Sequence, residues 1–158
     1  LELAYVDGLL MDRLYMARFN VKRGAGARVF ISHSSKDKQF ARRLSVDLAN
    51  AGHEPWLDEW NIKVGESIPS KISDGLQGSS FVIVVLSRNS VSSNWVEREW
   101  QAKYWSEVQS NEVMVLPLML EECDVPYLLQ TKKYANFIED YNEGLEEVLG
   151  ALFVEEKE

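Results

Sequence analysis

The sequence predicts an α/β protein, a parallel sheet with helices packed on both faces. Three observations carry that expectation. Strand-like and helix-like segments alternate from Arg28 onward, the pattern produced by right-handed β–helix–β crossovers. The run SFVIVVLS at 80–87 is apolar throughout, as in a strand covered by helices on both sides. After the first strand, Phe40, Leu44 and Leu48 recur at i, i+4 and i+8, the buried stripe of a helix.

The elements follow in order. Leu10, Leu14, Ala17 and Val21 have helical spacing, and RGAGA at 23–27 reads as a flexible break. That segment is a linker or an oligomerisation helix. RVFIS at 28–32 is a β-branched, apolar strand, and the helix after it stops at Gly52, where a C-cap belongs. HEPWLD at 53–58 is a weaker strand. SIPSKISDGLQGS at 67–79 is a short helix with Ile68, Ile72 and Leu76 on one face. The apolar strand at 80–87 precedes a long helix over about 95–109. EVMVLPLML at 112–120 is a further strand, and Pro117 within it suggests that pairing ends there or that the strand lies at an edge. Residues 121–134 are irregular, YANFI at 134–138 is a last short strand, and 143–153 a final helix.

Composition narrows the function classes. The 158 residues, 46% hydrophobic and 27% charged, suit a single globular domain. A net charge of -8 argues against binding nucleic acid through its phosphates. The single cysteine, Cys123, cannot form an internal disulfide, which fits a reducing, cytoplasmic setting. No apolar run approaches the about 18 residues of a membrane span, and no signal peptide is visible. The chain begins at Leu1 and not Met, so a fragment with a further domain upstream is expected. There is no P-loop, GAGA precedes the first strand where a dinucleotide turn would follow it, and no Cys/His cluster has zinc spacing. A Ser32–His33–Asp58 triad is poor on geometry, because neighbouring side chains at a strand end diverge.

Ligands of an open parallel sheet bind beyond the carboxyl ends of its strands. SHSSKD at 32–37, LDEWNIKVGES at 57–67 and SRNSVSSNW at 87–95 should all emerge there. In SSNWVEREW at 92–100, Asn94 as N-cap makes Glu97 the N3 acceptor of a capping box, a sufficient structural role. Glu99 lies one turn past Trp95, beside the stripe Val96, Trp100 and Tyr104 that should face the core. It is either a partly desolvated carboxylate with a raised pKa or half of a Glu99–Lys103 surface pair. Spacing alone favours the surface pair.

Taken together, RVFISHSSKDKQFARRL, LDEWNIKVGESI, FVIVVLSRNSVSSNWVEREW and VLPLML resemble, in order and spacing, a bacterial-type TIR (Toll/interleukin-1 receptor) domain over about residues 27–153. The expected division is a helical extension at 1–26, the TIR domain at 27–154 and a tail at 155–158. The resemblance implies a flavodoxin-like fold, a five-stranded parallel sheet in the order 2-1-3-4-5. It makes residues 58–67 the family's BB loop. Enzymatic TIR domains cleave NAD⁺ at the nicotinamide–ribose bond with a glutamate often set in W-x-x-x-E, and WVERE supplies Trp95 and Glu99 at that spacing. The implied catalytic residue is Glu99, while Glu97 has no counterpart.

Ser32, His33, Ser34, Asp58, Trp60, Lys63 and Trp95 are the implied substrate-binding residues. Each has a structural alternative: Asp58 caps a turn, Trp60 packs on its own loop, His33 faces solvent. Arg98 departs from the aromatic residue often found before the glutamate, which puts substrate preference or product in doubt. NAD⁺ is then substrate and no cofactor or metal is implied. The implied partners are further TIR copies meeting through the BB loop and an upstream sensor domain or partner protein. The first expectation is an NAD⁺ glycohydrolase releasing nicotinamide and ADP-ribose or a cyclic isomer, activated by oligomerisation in antiphage defence or signalling. The alternatives are a non-catalytic TIR interaction module and an N-glycosidase acting on free nucleosides or nucleotides.

Overall fold

The structure is a computed structural model that describes residues 26–153. The helical extension expected at 1–26, Gly26 apart, and the tail at 155–158 lie outside the described residues. Strands β1 (Arg28–Ser32), β2 (Glu54–Trp56), β3 (Phe81–Leu86), β4 (Val115–Met119) and β5 (Ala135–Asn136) form one sheet in the order β2-β1-β3-β4-β5. All four pairings are parallel.

Helix α1 (Lys38–Asn50) follows β1, and a helical turn α2 (Asp58–Asn61) and helix α3 (Ile68–Gly78) follow β2. Helices α4 (Arg88–Val91) and α5 (Asn94–Ser110) follow β3, and α6 (Tyr141–Leu152) closes the domain. Successive β3 side chains alternate between two cores. Phe81, Ile83 and Val85 meet Leu44 and Leu48 of α1 and Val148, Leu149 and Leu152 of α6. Val82, Val84 and Leu86 meet Ile72 of α3 and Val96 and Trp100 of α5. Burial on both faces is why this strand is apolar without alternation.

Local chemistry sets the ends of the elements. Helix α1 ends in a Schellman turn: Gly52 has φ of 92°, its N–H donates to Ala49 O, and His53 N–H donates to Leu48 O. The α3 stripe is placed as expected, but only Ile72 is buried, while Ile68 at the first helical position is exposed. Gly75 of α3 makes room for the Trp56 indole, since a Cβ there would lie 2.5 Å from it.

Two expectations are corrected. Pro117 neither ends the pairing nor marks an edge, since β4 pairs with β3 through Met119 and with β5 through Leu118 and Met119. Even-numbered β4 groups bond toward β3 (Met114 O, Leu120 N) and Met119 O toward β5. The missing Pro117 donor therefore points to the β5 side, before that two-residue strand begins. Asn94 is not the cap of the long helix. Ser93 is, its hydroxyl accepting from Val96 N–H at 3.3 Å. This makes Val96 the N3 residue, so Glu97 is not part of a capping box, and its Oε1 accepts from Gln101 instead. A capping box does occur one helix earlier, between Ser87 and Ser90.

Candidate active site

The strand order reverses between β1 and β3, which makes their carboxyl ends the switch point where ligands of such sheets bind. The last residue of β1, Ser32, is fully buried there. Its hydroxyl donates to Glu99 Oε1 at 3.1 Å, joining β1 to the helix that follows β3. Glu99 is 8% exposed, and no pairing with Lys103 occurs. Burial raises its pKa to about 7, against the hydrogen bond from Ser32 and the positive charge of His33, which lower it, while Asp58 raises it further. Near neutral pH this carboxyl exists in both forms.

His33 does not face solvent; its side chain is 4% exposed. Nδ1 lies 2.8 Å from Ser34 O and Nε2 3.3 Å from Asp58 Oδ1. Burial opposes the charged ring, but the hydrogen bonds to Asp58 and the Ser34 carbonyl outweigh it and raise the His33 pKa. The same bond to His33 lowers the Asp58 pKa. Asp58 Oδ1 also accepts from the adjacent Glu59 N–H, but the cap position of α2 belongs to Leu57, so Asp58 does not cap the turn. The Ser34 hydroxyl caps the short 3₁₀ turn at Ser35–Asp37.

Ser32, His33, Ser34, Asp58 and Glu99 thus come together. Trp95, one turn before Glu99 on α5, is 48% exposed. Trp60 is also partly exposed, at 43%. Lys63 is exposed as well, and its backbone bonds within the loop, its N–H donating to Glu66 Oε1 and its carbonyl accepting from Glu66 N–H. Neither bonds to the cluster.

Four supporting residues escaped the sequence reading. Arg42 of α1 forms a two-pronged pair with Glu59, anchoring the start of the 58–67 segment. Ser87 Oγ donates to Asp37 Oδ2 at 2.5 Å, tying the first edge loop to the third. Arg42 and Glu59 read as ordinary solvated charges, and Asp37 and Ser87 lie 50 positions apart. No local spacing signals any of them. Among the described residues no three His, Cys, Asp or Glu side chains gather as a metal site, and no helix is long and apolar enough to cross a membrane.

Fold and site together define an α/β domain of the switch-point type, with a buried carboxylate where a ligand would sit. The chain belongs to the TIR domain family, whose model matches residues 29–149. It is 39% identical over 90 residues to the 2′ cyclic ADP-D-ribose synthase BtTIR of Bacteroides thetaiotaomicron, covering 56% of this chain and 31% of that protein. It is 34% identical over 91 residues to the NAD(+) hydrolase TcpA of a Theionarchaea archaeon, covering 57% and 27%. The chain therefore spans about a third of the length of these relatives. Among solved structures, the TIR domain of the Toll-related receptor TRR-2 from Hydra magnipapillata superposes with a TM-score of 0.66. That match is 21% identical, covers 78% of this chain and 95% of that one, and speaks to the fold.

Proposed function

We propose that this domain is an NAD⁺ glycohydrolase with Glu99 as its catalytic residue. The observation that supports the reading is the buried Glu99 carboxyl at the β1/β3 switch point, hydrogen-bonded to Ser32, one turn beyond an exposed tryptophan. The names of the relatives, cyclic ADP-ribose synthase and NAD(+) hydrolase, support it from outside.

The chemistry asks little of a general acid. The bond between ribose C1′ and the nicotinamide nitrogen breaks with its electron pair leaving on nicotinamide, which departs neutral from a cationic donor. The remaining ribosyl centre carries oxocarbenium charge. An ionised Glu99 opposes that charge and accepts from the ribose hydroxyls, interactions that strengthen as the charge develops. Water at C1′ gives ADP-ribose and a proton; a hydroxyl of the same molecule gives a cyclic isomer. Trp95 supplies a face on which nicotinamide or adenine stacks. NAD⁺ is the substrate and no cofactor takes part in this scheme.

The proposal extends to a cytoplasmic setting, to assembly of TIR copies through the 58–67 segment, and to control by an upstream sensor or partner in antiphage defence or signalling. A second reading, a non-catalytic interaction module, is supported by the same segment, where Trp60 and Val64 are exposed, and by the exposed Ile68 just after it. One experiment separates the two. NAD⁺ consumption is followed at high protein concentration, with a crowding agent to promote assembly, for the wild type, Glu99→Ala and Glu97→Ala. The expected result is loss of turnover in Glu99→Ala alone. Equal turnover by wild type and Glu99→Ala refutes the enzyme reading, and its absence from all three under crowding favours the interaction module.

A further inference from the structure

We infer that Asp58 and His33 form a positioning pair that ties the seating of the 58–67 segment to the charge carried by Glu99. The use of that charge rests on the proposed reaction, whereas the coupling itself does not. The starting point is the His33 ring, whose two nitrogens both face acceptors, the Ser34 carbonyl and the Asp58 carboxylate. Neither acceptor carries a hydrogen, so each nitrogen must donate, and only the imidazolium does both. A neutral ring would leave a bare nitrogen against an oxygen at a position almost closed to water.

The two acceptors differ in what holds them. Ser34 is the next residue in the chain and stays with β1. Asp58 opens α2 and the 58–67 segment, and it is held through its neighbour Glu59, which pairs with Arg42 of α1. Withdrawal of that segment therefore removes the anion that keeps His33 charged. Every charged group facing the cluster enters this balance. Glu99 on α5 faces His33 and, with less effect, Asp58. Asp58 faces His33 and Lys38 at the start of α1, and Glu59 faces Arg42, Lys38 and Asp58.

His33 and Asp58 act on Glu99 in opposite senses. His33⁺ favours the carboxylate, Asp58⁻ disfavours it, and the effect of His33 is the larger. Deleting the Asp58 charge therefore has an outcome whose sign reveals the coupling. If His33 kept its proton without Asp58, Glu99 would become more acidic. If His33 gives up its proton with Asp58, the larger favourable charge goes too, and Glu99 becomes less acidic. The pairing geometry predicts the second outcome. With the segment seated, Glu99 is held toward the ionised form that the ribosyl cation needs; with it withdrawn, Glu99 takes up a proton and rests.

The test is a carboxyl-carbon NMR titration of Glu99, assigned against Glu99→Gln, in the wild type, Asp58→Asn, His33→Gln and the double variant. The His33 ring is followed alongside. The wild-type midpoint is expected at about 7. Asp58→Asn should raise it as His33 loses its proton, and His33→Gln, which keeps the Asp58 repulsion, should raise it further. In the His33→Gln background, Asp58→Asn should instead lower it, because only the direct repulsion is left to remove. A midpoint that stays or falls in Asp58→Asn, or one unmoved in His33→Gln, overturns the inference. No turnover is read, so a protein that titrates as expected and leaves NAD⁺ intact counts against the glycohydrolase proposal and not against the pair.

Discussion

Replacing Glu99 by Gln should stabilise the domain, and the gain should grow with pH. Gln has the shape of the protonated acid and still accepts the hydrogen bond from Ser32, so the substitution removes the titration and little else. The Glu99 pKa is raised from 4.5 to about 7, and each unit corresponds to about 1.4 kcal/mol. Above pH 7 the ionised carboxylate therefore costs about 3 kcal/mol more in the fold than in the unfolded chain. The sign follows from proton counting. Between pH 4.5 and 7 the folded protein holds a proton that the unfolded chain has lost, so stability falls as pH rises through that window and levels off beyond it. Between pH 5 and pH 8 the wild type should lose about 2.5 kcal/mol relative to Glu99→Gln.

Urea denaturation of both proteins at pH 5, 6, 7 and 8 measures this directly. Contributions from groups that do not interact with Glu99 are common to the pair and cancel in the difference, whereas His33, whose pKa the Glu99 charge helps to raise, cancels only in part. The slopes with urea should match, because the same surface is exposed on unfolding. Parallel stability–pH curves for the two proteins would refute the reasoning, since a carboxyl that titrates normally in the fold contributes no such slope.

Two further outcomes follow from the site and its helix. Ser93→Ala should cost about 1 kcal/mol in urea denaturation, while Asn94→Ala stays within about 0.5 kcal/mol, because Ser93 holds the cap. Trp95→Ala should raise KM for NAD⁺ about tenfold, or about 1.4 kcal/mol of lost stacking, and leave Tm unmoved, because Trp95 is half exposed and contributes little to the core.

The fold was legible because its signals are local and redundant. The run at 80–87 and the α1 stripe at Phe40, Leu44 and Leu48 each point to one element, and alternation then implies a parallel sheet. Pro117 misled because one strand's sequence does not say where its neighbour begins; β5 is so short that the missing donor has nothing to pair with. The cap was misplaced by one residue because Ser93 and Asn94 are both good caps, and only three-dimensional reach decides between them. At the site, spacing put Trp95 and Glu99 one turn apart but left the burial of Glu99 open. The hydrogen bond that Glu99 accepts comes from Ser32, 67 positions away, and the charge of His33 depends on Asp58, 25 positions away. Those distances are set by the fold, so the resemblance to TIR domains made Glu99 a candidate where periodicity favoured a surface pair.

The energetics then bear on why a carboxylate stands there at all. An exposed Glu99–Lys103 pair would have been worth a few tenths of a kcal/mol. The arrangement in the structure costs about 3 kcal/mol once the group ionises, a large share of the 5–15 kcal/mol that holds a typical domain together. Glutamine would keep the bond to Ser32 without that cost. Ser32 and His33⁺ each favour the carboxylate, yet they leave it titrating near neutrality instead of fully ionised. A fold selected for stability alone has no use for such a group. A cation arriving beside Glu99 supplies what Ser32 and His33 leave missing, because an added positive charge lowers the pKa and makes the carboxylate favourable. Under the proposed reaction, a cationic substrate that becomes a cationic ribosyl centre meets that deficit.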